Sequence, residues 1–223
     1  MLYENSRLTK IAVLLITVSA LMLLGACAST YYNAMEKVGV HKRDILVDRV
    51  ENARDAQSDA QEQFKSALEQ FRSVVNVEPS DLSEAYERLN AEYEASENAA
   101  EKVSDRIDSI ESVADALFTE WEEELELYKR ADLKAKSRKQ MLATKSQYNK
   151  MLASMHRAEK SMAPVLSSFQ DNVLFLKHNL NAQAISSLRS EFSSMKGEID
   201  SLIKNMNEAI ESSNRFIADI KTN

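Results

Sequence analysis

DLSEAYERLNAEYEASENAAEKVSDRIDSIESVADALFTEW, residues 81–121, is the stretch whose reading decides the fold. Alternating steps of four and three residues link Leu82, Tyr86, Leu89, Tyr93, Ser96, Ala100, Val103, Ile107, Ile110, Ala114, Leu117 and Trp121. Residues spaced this way share one stripe of an α-helix. A stripe sustained for so long is buried against other helices in a left-handed supercoil. Pro79 stops the preceding segment, Ser80-Asp81 supplies an N-cap, and Glu84 stands three residues on as capping-box partner. No Gly or Pro occurs from Ser80 to Ala163.

The same spacing extends in both directions. Upstream it links Leu46, Val50, Ala53, Gln57, Ala60, Phe64, Ala67, Phe71 and Val74; downstream it links Ile185, Leu188, Phe192, Met195, Ile199, Leu202, Met206, Ala209, Ser213, Phe216 and Ile220. Pro164 suits the first turn of a new helix. These marks predict three helical arms, about 29–75, 81–161 and 164–221, and an all-α fold: an elongated antiparallel coiled coil, built as a staggered three-helix hairpin bundle. An unbroken second arm of about 80 residues would be a rod about 120 Å long. Two interruptions stand in the pattern. From Glu122 to Gln140 the seam thins to Leu125, Leu127, Tyr128 and Leu133 amid dense charge, then resumes as Met141, Tyr148, Met155 and Met162. The register also slips around Asn179-Leu180-Asn181. Each is a stutter, a kink or a break.

The other decisive stretch is N-terminal. Arg7 and Lys10 precede an apolar run from Ile11 to Leu24, which ends in Leu24-Gly25-Ala26-Cys27. A cationic start, a short apolar core and small residues at the end form a secretory signal, and the run falls short of the roughly 20 residues that span a bilayer. Leu-Gly-Ala-Cys resembles the lipobox of bacterial lipoproteins. That resemblance implies cleavage between Ala26 and Cys27, acylation (palmitate-type chains) of Cys27, the only cysteine, and a mature domain of residues 27–223. Tyr31 and Tyr32 follow closely, where aromatic rings suit a membrane interface, and with Trp121 they are the candidate contacts for a partner; packing within the protein is the alternative for all three.

Cleavage would remove two of 28 basic and one of 35 acidic residues, leaving a net charge of −8. So acidic a chain is unsuited to nucleic acid, which is bound through Lys and Arg. The charge is unevenly placed. From Glu78 to Glu126 there are 17 acidic residues against Arg88, Lys102 and Arg106; from Lys129 to Lys160 there are ten basic residues against Asp132 and Glu159. This split fits either a solvated coiled-coil exterior or antiparallel self-association of two rods. The stretch Lys134-Lys136-Arg138-Lys139 is a solvated surface or a contact for anionic head groups.

Little in the sequence points to chemistry. His41, His156 and His178 are isolated, without ligand spacing. The cluster Glu120, Glu122, Glu123, Glu124 and Glu126 lies on a helix, where successive carboxylates diverge, and no glycine lets a loop wrap a calcium ion. There is no Gly-x-Ser-x-Gly elbow and no phosphate-cradling glycine loop. No catalytic residue, metal, cofactor or small-molecule substrate is expected. Gly39 reads as a hinge or a tolerated helix glycine, and the methionines Met141, Met151, Met155 and Met162 as core or as an adaptable apolar surface.

The lipobox followed directly by Tyr31-Tyr32-Asn33-Ala34-Met35-Glu36-Lys37, and then by glycine-poor helical arms, resembles an uncharacterised family of long-helical proteobacterial lipoproteins, domain of unknown function 2959. That family has no activity to transfer. By resemblance to lipoprotein sorting, Ala28 rather than Asp after Cys27 implies the periplasmic face of the outer membrane. The function expected is that of a non-enzymatic, lipid-anchored spacer, scaffold or adaptor with a protein partner or a second copy. The alternative is a helical module that holds lipid or an exported client.

Overall fold

The seam positions are the interior. All nine seam residues from Leu46 to Val74 are buried, as are ten of the eleven from Ile185 to Ile220; Phe192 is half-buried. The computed structural model describes Tyr32, Met35, residues 39–76 and residues 82–222. Among the described residues four long helices follow in order: α1 (Lys42–Val74), α2 (Leu82–Leu127), α3 (Ala131–His178) and α4 (Ala182–Thr222). Each packs on the next, and α4 returns to α1, so the bundle runs up-down-up-down. At 48 residues, α3 is about 72 Å long.

The three expected arms are therefore four helices, and the 120 Å rod does not form. The second arm breaks at Tyr128-Lys129-Arg130, where Arg130 turns to extended backbone (φ −92°, ψ 118°) before α3. A continuous helix would have left the carboxylates of 120–126 and the cations of 129–139 stacked along one axis. The break folds them against each other instead. Glu126 then pairs with Lys134 at 2.8 Å and Arg138 at 3.6 Å, and Glu122 with Lys145 at 3.1 Å. The acidic and basic halves thus meet within one chain, and the charge split gives no argument for self-association.

Pro164, expected to open a helix, lies inside α3. It sits on the exposed face, where water can take the Lys160 carbonyl that its ring leaves without a donor. The buried face continues through it as Met162, Val165, Phe169, Val173 and Leu176. The slip at 179–181 is a true break. Asn179 leaves helical geometry (φ −132°, ψ 65°), and the Asn181 Oδ1 accepts the Ala184 N–H at 3.1 Å, capping α4. Gly39 is not a helix glycine. At φ +87° it turns the chain ahead of α1, letting the Val40 N–H reach the Met35 carbonyl at 3.0 Å.

Aromatic side chains fasten both ends. At one, Phe71 of α1 meets Phe169 of α3 edge-on (6.3 Å) and stacks on Phe192 of α4 (6.2 Å), while Tyr93 of α2 meets Phe169 (6.1 Å). At the other, Phe118, Tyr148 and Phe216 join α2, α3 and α4. Burial, with Glu111 and Asp115 nearby, pushes the Tyr148 hydroxyl up to about 12. The four methionines are core, each at most 4% exposed.

Candidate functional site: the bundle end beside the N-terminus

One end of the bundle gathers the start of α1, the end of α2, the start of α3 and the end of α4. The neighbours of α1 show why. Lys42, although buried, places Nζ 2.9 Å from Glu120 Oε1, and Lys221 of α4 reaches Glu51 at 2.8 Å. Tyr32 is 6% exposed, with its hydroxyl 3.1 Å from Ser112 Oγ on α2. It is packed against the bundle rather than offered to a partner or a membrane. Tyr31, Ala26 and Cys27 lie outside the described residues. Trp121 is half-buried, and its indole N–H donates to Ser137 Oγ at 2.9 Å across the α2–α3 seam. It braces the hairpin.

α2 and α3 continue past the other two helices. Arg43 and Ile220 border the same small space as Leu117, Trp121, Gln140 and Thr144, so α1 begins and α4 finishes at that level. Beyond it, among the described residues, only 122–139 project, a two-helix prong about 10 Å long. Two helices can shelter Leu125 but not its neighbours. Leu127 is 77% exposed, and Tyr128 and Leu133 are exposed too. Of the four residues expected to carry the thinned seam, only Leu125 is buried; the adjacent pair Leu127-Tyr128 and the dense charge around Leu133 are the signal that the others face out. A second exposed group, Leu174, Phe175 and Leu180, sits at the opposite end. It went unread, although three successive apolar residues at 174–176 cannot all face one core.

The histidines do not converge. His41 borders an open groove of about 710 Å³ near the start of α1, with Glu51 and Lys221; His178 ends α3 at the far end. His156 lies between them, gripped by carboxylates from two helices: Glu159 Oε2 at 2.8 Å from Nδ1 and Glu111 Oε1 at 3.1 Å from Nε2. Its hydrogen bond to Glu159 raises its pKa; partial burial opposes this, and Glu111 adds to the rise. For Glu159, burial pushes upward, but Ser104 and His156 prevail and hold its carboxyl below the ordinary range. The two carboxylates bind opposite ring nitrogens, so they clamp the imidazole instead of sharing an ion. Among the described residues, no group of three or more His, Cys, Asp or Glu side chains is placed to hold a metal. Nor, among them, is any helix long and apolar enough to cross a membrane.

Residues 31–220 match the model of a family described as a protein of unknown function, DUF2959. The chain belongs to that family. The matched span takes in nearly all of the four helices and leaves Cys27 outside, so DUF2959 membership concerns the bundle and the segment just ahead of it. No curated protein and no solved structure matches the chain.

Proposed function

We propose that this DUF2959 protein is a lipid-anchored envelope lipoprotein whose four-helix bundle acts as a rigid, non-enzymatic spacer or adaptor. Leu24-Gly25-Ala26-Cys27 at the end of a short apolar run carries the reading. Acylation of Cys27 holds the chain to the bilayer, with the periplasmic face of the outer membrane favoured by Ala28. The bundle gives the device its stiffness, and at about 72 Å its reach is shorter than a single unbroken rod would allow. Its far end presents Leu174, Phe175 and Leu180 to a protein partner. The alternative, a module that encloses lipid or client, has less support. The enclosed space beside Trp121 is about 30 Å³, room for one water and not for an acyl chain. Larger spaces, about 710 Å³ beside His41 and about 670 Å³ beside Met162 and Leu166, are open surface grooves that enclose nothing.

Labelling cells with an alkyne-bearing fatty acid tests the anchor: the native chain takes label and fractionates with the outer membrane, while Cys27→Ser takes none and is lost from it. Photo-crosslinkers at Phe175, Glu124 and Lys136 test the adaptor role. A recurrent protein adduct at Phe175 supports it, and no adduct at any of the three would refute it.

A further inference from the structure

We infer that the α2–α3 prong is a second membrane contact, resting its tip in the interfacial layer of a bilayer that carries anionic head groups. The inference rests on the lipid-anchor reading above and adds to it the part of the bundle that faces the membrane.

Three observations carry it. The first is shape: the prong projects past α1 and α4 and ends in Leu127, Tyr128 and Leu133, whose side chains are exposed and which no other helix covers among the described residues. The second is charge. Its cations crowd toward the tip: the whole prong, with Glu122, Glu123 and Glu124 at its base, has a net charge of +1, whereas residues 125–139 hold Lys129, Arg130, Lys134, Lys136, Arg138 and Lys139 against Glu126 and Asp132, a net charge of +4 in a chain that is −7 as a whole. The two carboxylates of that tip are already taken up, Glu126 by Lys134 and Arg138, Asp132 by Arg130. Lys129, Lys136 and Lys139 make no ion pair among the described residues. Apolar and aromatic side chains set among free cations suit the boundary between acyl chains and phosphates, where the rings and aliphatic stems are buried and the charges stay wet.

The third observation is tether length. Tyr32 lies five residue steps beyond Cys27, a span of at most about 17 Å. Tyr32 is bonded at Ser112, 15 residues before Leu127 on α2 and so about 22 Å from the tip. A Cys27 held in the bilayer therefore draws this end of the bundle, and not the far one, to the surface. The tether is slightly shorter than the distance to the tip, so prong and anchor reach one plane when the bundle axis leans toward the flank that holds Tyr32. Two contacts fix an orientation where a lone acylated residue would leave the bundle free to swivel.

The experiment uses the full, acylated chain carrying Leu127→Cys. Acylation consumes Cys27, so the new thiol alone takes a polarity-sensitive dye. Position 127 is open enough to carry the dye without disturbing the core. A matched sample carries the dye at Leu180→Cys, at the far end. Both are reconstituted into vesicles of phosphatidylcholine and phosphatidylglycerol and floated. The expected result is a blue shift at position 127, quenching there by brominated lipid, and neither effect at position 180. The shift should shrink when phosphatidylglycerol is left out or salt is raised. Vesicles that carry the protein while the dye at 127 stays as water-exposed as the dye at 180 would overturn the prong contact and leave the anchor standing. A chain that mass spectrometry finds unacylated overturns the anchor reading instead. The prong is then judged by the same dye with vesicles added to the soluble protein, Cys27 replaced by Ser: a blue shift supports it and no shift overturns it.

Discussion

Phe71→Ala tests whether four helices close on one core. Phe71 is fully buried in α1 and touches rings from two other helices, Phe169 edge-on and Phe192 stacked at an interplanar angle of 14°. Truncating a buried phenylalanine costs about 3–5 kcal/mol through lost transfer and the cavity left behind. The aromatic geometry adds a coupling of about 0.5–1.5 kcal/mol per pair. In urea denaturation followed by circular dichroism, Phe71→Ala should lower the midpoint strongly at unchanged slope. A double-mutant cycle with Phe192→Ala isolates the contact between α1 and α4, the closure that turns a row of hairpins into a bundle. The expected coupling is about 0.5–1.5 kcal/mol. Effects that add to within about 0.3–0.5 kcal/mol would mean that the two rings are independent. The up-down-up-down closure would then be refuted.

Two further predictions concern the interior and the clamp. Gln57 is fully buried, and among the described residues neither its Oε1 nor its Nε2 has a hydrogen-bond partner. Gln57→Met, close in shape and without the orphaned amide, should stabilise the protein by about 1–3 kcal/mol and raise its melting temperature in scanning calorimetry; a fall would show that the amide is paired in solution. His156 has its pKa raised by Glu159 and Glu111 above its ordinary 6.5. The stability it contributes is therefore complete below pH 6.5 and is lost as pH rises through its higher folded-state value. In melting curves across that window, His156→Gln should flatten the decline, and a slope identical to that of the native chain would refute the clamp.

The fold was legible wherever burial repeats with the helix period. The seam from Leu46 to Val74 and that from Ile185 to Ile220 could be read directly, because an apolar stripe has no other use at that spacing. The helix count was not legible, for two physical reasons. Pro164 carries a strong stop signal, but a proline on a solvated face removes one hydrogen bond and leaves the packing of Met162, Val165 and Phe169 untouched. The loop at 128–130 has no Gly or Pro to announce it. It returns Met141, Tyr148 and Met155 of α3 to the core, and brings Glu122 and Glu126 beside Lys145, Lys134 and Arg138, contacts that only the folded hairpin makes. Of the candidate site, the apolar residues of the tip read as a thinned seam because the break at 128–130 leaves no mark in the sequence, and the burial of Tyr32 against Ser112 depends on a contact 80 residues away.

The most direct test of the account is the intact mass of the protein purified from membranes, with fragmentation of its N-terminal peptide. The account requires a chain that begins at Cys27, lacks residues 1–26 and bears acyl groups on that residue. An unmodified Cys27, or a chain that still holds Met1 to Ala26, would contradict it.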